Sequence, residues 1–376
     1  MTDHSDTGAV RFPGSPMTSL VDTPVRYDLA ESTCPPVRLG ELGEPAAPVE
    51  LPLGYGTSRG SDELRALIAA EAGVTADQVL VTGGAIGAMF LLAQERCRAR
   101  VLLASPCFPP ARAVPEGLGS PVDTVRLRFD DGYRLPVGAI ADRLSPATGL
   151  VSIASPQNPS GVGFTEQEMR ELLAVVDERA PEAVVLVDET YRESTYGRSP
   201  VSRSAAGLSP RVVTCSSLSK AHGAPGLRLG WLTTTDAALY ERLRNAKFLT
   251  AIACSTLDEL LGTQLLRRRT DILAPRAALL ERSLTQLERW ADGQPVDLVR
   301  PDGGALCCLR LRPDYCSDEA VPGFYRRLAD LGTRVAPGSW FGEDDRVFRL
   351  GFGHLDPKDF TEALARLGEA LEATLL

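Results

Sequence analysis

The stretch Cys215-Ser216-Ser217-Leu218-Ser219-Lys220 ends in one of only three lysines in a chain of 376 residues, the others being Lys247 and Lys358. Arginine supplies the other thirty-seven of the forty basic residues, so chemistry that needs a primary amine has three candidates. Lys220 stands just beyond a strand-like run that begins at Arg211, and Arg228 follows eight residues later in PGLRLGW. An amine at a strand end, with hydroxyls before it and a guanidinium after it, suits an aldehyde cofactor with a phosphate tail. The amine condenses to a Schiff base, Ser217 and Ser219 can hydrogen-bond the phosphate, and the arginine fork binds it through two parallel bonds. Taken alone, Lys220 could equally be a solvated surface lysine.

Other candidates recur at the same kind of place. Asp188 ends the apolar run AVVLVD, and Tyr191 lies three residues on. A carboxylate there can pair with the protonated ring nitrogen of pyridoxal phosphate and keep the ring an electron sink, while the phenol can donate to the ring oxygen O3'. The alternative for Asp188 is a helix N-cap. Asn158, in SPQNPSG, follows a strand-like run and offers an amide to the ring hydroxyl, or makes a plain Asn-Pro turn. Phe108, after VLLASPC, can stack on a pyridine face or serve as an ordinary core aromatic.

The glycine-rich turn in VLVTGGAIGAM opens a helix, where free N–H groups and the helix dipole favour an anion. It superficially matches a dinucleotide fingerprint. However, Met89 occupies the place of the last glycine, and no lysine has a tyrosine four residues earlier, those positions being Ser216, Leu243 and His354. The turn therefore predicts a phosphate without naming its carrier, or else a tight strand-to-helix turn without a ligand.

These groups need a scaffold of strands ending at one crevice. The runs QVLVTGG, ARVLLASP, GLVSIASP, AVVLVDE and RVVTCSS read as buried strands, while SDELRALIAAEAG and TEQEMRELLAVVDERA have the three- and four-residue apolar spacing of helices with one buried face. That alternation predicts an α/β fold with a mostly parallel sheet covered by helices, whose strand ends bind ligands. Residues 236–292 read as mainly helical and end in a long helix. ALCCLRL and VFRLGF read as strands of a smaller α+β part, with helices near 318–331 and 356–373. Cys307 and Cys308 should then point to opposite faces of one strand as small core residues. The expected division is a mobile N-terminal arm over 1–25, a large domain over 49–270, and a small domain made of 26–48 with 271–376.

Composition narrows the function classes. A formal charge of -9 disfavours nucleic acid and anionic membranes as partners. The first twenty residues lack an apolar leader core, so the expectation is a cytoplasmic protein. The eight cysteines contain no CxxC pair and there are three histidines, so reduced thiols and no metal site are expected.

With these motifs in this order, the chain resembles the pyridoxal-phosphate enzymes of fold type I, the class I/II aminotransferase family, from about Tyr27 to the C-terminus. The resemblance implies a large domain with a mostly parallel sheet plus a smaller α+β domain, and pyridoxal 5'-phosphate as cofactor. It makes Lys220 the aldimine lysine, Arg228 a phosphate ligand with Ser217 and Ser219, and Gly84, Ala85 and Ile86 the phosphate cup. Asn158 and Tyr191 are assigned to O3', Asp188 to the ring nitrogen, and Phe108 to ring stacking. Arg349, in VFRLGF, is assigned to the substrate α-carboxylate, with Asn158 counted beside it. Tyr55, in LPLGYGTSRGSDELR, is assigned to the neighbouring subunit's phosphate, which implies a homodimer. The implied activity is amino-acid transamination through an external aldimine and quinonoid. LSKAHGAPGLRLGW, ILAPR, APGSWFG and RLGFG look similar to capreomycidine synthase-like members of the family, which implies elimination and ring closure as the alternative. Ile86 stands where relatives often carry a hydroxyl or amide, and Asp258 where many carry glutamine. His222 is expected to pack above the cofactor, with proton transfer as the alternative, and His354 to face either the pocket or solvent.

Overall fold

The computed structural model describes residues 12–43 and 50–373. The expected arm over residues 1–11 and the expected domain boundary at 48/49 lie outside the described residues. Within 12–25, where an unstructured arm was expected, Pro16–Thr18 and Ser19–Asp22 form short helical turns. Met17 and Leu20 pack against Ala30 and Phe341, and Arg334 Nη1 donates to the Ser19 and Thr23 carbonyls, so contacts too sparse to register as periodicity dock the segment.

β1 (Tyr27–Asp28) crosses to pair in parallel with a strand 306 residues further on, described below. Seven strands then build the large sheet: β2 (Val79–Thr82), β3 (Arg100–Ser105), β4 (Val122–Arg126), β5 (Thr148–Ala154), β6 (Val184–Asp188), β7 (Val212–Ser217) and β8 (Gly230–Thr234). Their order is β2-β8-β7-β6-β5-β3-β4, parallel except for β8, which is antiparallel to both neighbours. Val79, Val101, Val185 and Val212 are at most 1% exposed, as strands covered on both faces require. The covering helices include Asp62–Ala72, Gly84–Glu95 and Glu166–Arg179. The last is fixed at its start by a capping box, in which Thr165 Oγ1 accepts from the Glu168 N–H while Glu168 accepts from the Thr165 N–H.

The topology has one consequence for the site. The C-terminal ends of β2, β3, β5, β6 and β7 share one edge, and because β8 runs backwards its first residue lies there too, with Gly230 opposite both Thr82 and Ser217. Segments scattered over 150 residues of sequence therefore open into one crevice.

The remaining strands are β9 (Val296–Val299), β10 (Leu306–Leu311), β11 (Thr333–Arg334), β12 (Ala336–Pro337) and β13 (Val347–Gly351). β12-β13-β10-β9 form an antiparallel sheet, and β11 is the partner of β1. The long helix Arg269–Asp292 and the last helix, Pro357–Glu372, pack on this sheet. Cys307 and Cys308, both fully buried, enter different cores on opposite faces of β10. Cys307 joins the core of the small domain, and Cys308 joins a core of the large sheet, as period-two alternation requires.

Candidate active site

At the edge where β2 and β8 meet, Gly84 opens the helix Gly84–Glu95 at φ 74° and Gly83 caps it without a side chain. The N–H groups of the first turn thus have no carbonyl one turn earlier to bond to. Arg228 sits at φ 49°, and its guanidinium lies over Gly84 so closely that a Cβ there would be 2.8 Å from Nη2. Gly230 is equally constrained, since a Cβ would lie 2.4 Å from the Gly84 carbonyl carbon and 2.5 Å from the Ala85 nitrogen. Two glycines thus clear the space in which one arginine and a helix N-terminus converge, a combination suited to a phosphate. Ser217 lies next to them and its hydroxyl accepts from the Ser219 N–H at 3.3 Å. Ile86 is 39% exposed on the first turn.

Farther along the edge, Asp188 closes β6 opposite Ala154 and Cys215. Its Oδ1 accepts from the Thr190 N–H at 3.0 Å and hydroxyl at 2.5 Å. Burial pushes its carboxyl above the ordinary range, against the pull of Thr190, Cys215 and the Lys220 charge. A buried carboxylate with only neutral hydrogen-bond donors is suited to a cationic N–H. A small cavity beside it is lined by Phe108, Asn158, Gln157 and Asp188, so three of the expected ring contacts border one space.

Lys220 Nζ donates to Ser32 Oγ at 3.1 Å and lies 3.4 Å from Glu31 Oε1, and Ser32 Oγ is 2.9 Å from the Tyr191 hydroxyl. Burial pulls the amine down, but its interactions with Tyr191 and Glu31 outweigh that and hold Lys220 above its ordinary value. Glu31 is pulled down to about 2: burial raises it, and Lys220, Arg349, the Ser32 N–H and His354 together more than offset that. Arg349, only 1% exposed, donates from Nη1 to Asn158 Oδ1 at 2.9 Å and from Nη2 to the Ala30 carbonyl at 2.5 Å, and its guanidinium lies 4.7 Å from the Phe341 ring centre. Its Nε has no protein partner. An unpaired buried donor costs about 1–3 kcal/mol.

The residues singled out in the sequence therefore fall into two adjoining groups: Gly84, Ala85, Ile86, Ser217 and Arg228 on one side, and Phe108, Asn158, Asp188, Tyr191, Lys220 and Arg349 on the other. Tyr55 belongs to neither, being 86% exposed on this chain. The other lysines are elsewhere: Lys247 is buried and donates to the Ser58 carbonyl, and Lys358 is exposed. His222 is fully buried 3.6 Å from Glu193, and burial pulls its imidazole down. His354 Nδ1 lies 3.2 Å from Thr33 Oγ1 and is half-buried. Sequence reasoning missed Glu31 and Ser32. They follow a two-residue strand, carry no motif, and reach Lys220 through remote contacts of the segment: β1 with β11, Leu29 with Gly351 and Cys34 with Lys220. Among the described residues no cluster of His, Cys, Asp and Glu suits a metal ion, and no helix is long and apolar enough to cross a membrane.

Residues 51–367 match the family described as aminotransferase class I and II. Arginine–pyruvate transaminase AruH of Pseudomonas aeruginosa is 30% identical over 77% of this chain and 75% of its own length. Capreomycidine synthase of Streptomyces vinaceus is 28% identical over 84% of this chain and 80% of its own. Among solved structures, the α-aminoadipate aminotransferase LysN of Thermus thermophilus, complexed with N-(5'-phosphopyridoxyl)-L-leucine, superposes with a TM-score of 0.83 at 25% identity, covering 97% of this chain and 96% of that one.

Proposed function

Because this chain belongs to the class I and II aminotransferase family, whose cofactor is pyridoxal 5'-phosphate, we propose that it moves the amino group of an α-amino acid to a 2-oxo acid, with Lys220 as the point of covalent cofactor attachment. The observation that carries this reading is the nearness of Lys220 to both Asp188 and Arg349, whose charges act on its amine. When bound, the cofactor supplies an electron sink for the bonds at the substrate Cα. The chain's own groups do the rest. Arg228, Ser217, Ser219 and the N–H groups of Gly84, Ala85 and Ile86 hold the phosphate. Phe108 covers one ring face, Asp188 keeps the ring nitrogen protonated, and Tyr191 and Asn158 hold the ring oxygen. Asn158 can do this while serving Arg349, since Arg349 uses its Oδ1 and leaves its amide N–H groups free. Arg349 grips the α-carboxylate and so orients the Cα–H bond, and the amine of Lys220 carries the proton away from Cα.

The same reading takes the enzyme to be a cytoplasmic homodimer with a large domain over 49–270 and a small one over 26–48 with 271–376. Support for the dimer comes from Tyr55, Leu53 and Leu249, each more than 80% exposed on the single chain and placed for a second copy to cover.

Similarity to capreomycidine synthase favours a second reading, elimination with ring closure on a modified amino acid. One experiment covers both. The purified holoenzyme is screened with amino acids, starting from L-arginine and 3-hydroxyarginine, for change in the cofactor's visible absorbance, and products are identified by mass. A 2-oxo acid supports transamination, and a cyclised or dehydrated product supports the second reading. A cofactor absorbance that no amino acid alters would defeat both.

A further inference from the structure

Glu31 is the one acidic side chain within ion-pair distance of Lys220, among the described residues, and its position is not left to chance. The Leu29 carbonyl accepts from the Gly351 N–H at 2.6 Å, and a Cβ on Gly351 would fall 1.8 Å from the Glu31 carbonyl oxygen. The strand that carries Arg349 therefore clamps the backbone of Glu31. The Ser32 N–H then donates to Glu31 Oε1 at 2.8 Å and fixes the carboxylate. The next turn of chain is tied to the lysine itself, the Cys34 N–H donating to the Lys220 carbonyl at 3.2 Å. With a side chain only 20% exposed, the carboxylate has little water to neutralise it.

Resting on the assignment of Lys220 as the attachment residue, we propose that Glu31 is a positioning residue that serves as counter-charge to the Lys220 nitrogen, keeping that nitrogen protonated in the cofactor-loaded enzyme and so setting the pH range in which it is ready for an incoming amine. Opposite charges at this separation favour the protonated nitrogen, whereas Arg349, which also faces Glu31, opposes it. Other ionisable groups feel these two charges as well: Tyr191, Asp188 and Cys34 interact with Lys220, and His354 with Glu31. Tyr191 also favours the protonated nitrogen, and Glu31 adds to it the one carboxylate at ion-pair distance among the described residues. Asp188 is assigned to the ring nitrogen, the Tyr191 hydroxyl is shared with Ser32, and burial pushes the Cys34 thiol up to about 11.

The test is a pH titration of the bound cofactor's absorbance, which reports the proton on the lysine-linked nitrogen without any turnover. In Glu31→Gln, loss of the anion should move the midpoint down by about one pH unit or more relative to wild type, while Glu31→Asp, which keeps the charge, should stay close to wild type. If Glu31→Gln does not hold the cofactor, Glu31→Ala carries the same titration. A midpoint unchanged in the uncharged variant, or an Asp variant displaced as far as the Gln variant, overturns the inference. A wild-type enzyme without a lysine-linked chromophore would instead defeat the functional reading on which it rests.

Discussion

At the proposed phosphate end of the site the contacts come from main-chain N–H groups, one guanidinium and the hydroxyls of Ser217 and Ser219, with two glycines clearing the space. At the reacting end they come from side chains on five separate segments, those of Glu31, Asn158, Tyr191, Lys220 and Arg349. The first end is assembled by neighbours in the sheet: Gly84 follows β2, Arg228 precedes β8, and the two strands pair directly. The second is assembled by long-range topology and held by charge. An end made of backbone tolerates side-chain change and governs cofactor occupancy. An end made of opposed charges should lose turnover when any one of them goes, because each buried charge depends on the others for compensation.

The sharpest break in that comparison is Lys220→Ala. A positioned base contributes about 10²- to 10⁴-fold, so turnover should fall by roughly 10³-fold or more, while the phosphate end still holds the cofactor noncovalently. Borohydride reduction followed by peptide mass mapping checks the assignment. An adduct that persists on Lys247, buried against Ser58, or on Lys358 would remove Lys220 from the chemistry.

Arg349→Lys should come next. The guanidinium spends Nη1 on Asn158 and Nη2 on Ala30, and a lysine cannot keep both bonds and still meet a carboxylate. A hydrogen bond to a charged group contributes about 1.5–3 kcal/mol, so kcat/KM should fall roughly ten- to a hundredfold. Cofactor content should hold, since Arg349 belongs to the reacting end. A variant that lost the cofactor but still bound amino acids normally would reverse the roles of the two ends.

The two ends also differ in how far sequence reveals them. Runs such as AVVLVD and RVVTCSS are legible because a strand buried on both faces must be continuously apolar, and Asp188 and Lys220 are legible because they interrupt or follow such runs with a charge. The glycine turn announces an anion site, but only the pairing of Thr82 with Gly230 brings Arg228 over it. Glu31 could not be read at all. Its neighbours Leu29 and Ala30 make no repeat, and its position depends on remote segments: β1 pairs with β11, Gly351 bonds the Leu29 carbonyl and Cys34 bonds Lys220. The same limit applies to segment 16–22, which is docked by Met17 and Leu20 and by Arg334 donating to the Ser19 carbonyl.

The smallest expected effect lies at the phosphate end and has the opposite sign. Ile86 stands on the first turn of the helix Gly84–Glu95, 39% exposed, where its side chain offers no hydrogen bond. Ile86→Ser adds a hydroxyl beside the N–H groups of that turn and sacrifices only a half-exposed apolar side chain. A single added hydrogen bond contributes about 0.5–1.5 kcal/mol, so the cofactor should bind roughly two- to tenfold more tightly. With Lys220→Ala as background, covalent attachment no longer masks the equilibrium, and dialysis against graded pyridoxal phosphate reads the dissociation constant directly. Turnover measured in the Lys220-containing Ile86→Ser enzyme at saturating cofactor should stay within about twofold of wild type. A large loss of turnover there would mean that Ile86 reaches the reacting end, and the separation of the two ends would fail at its nearest point.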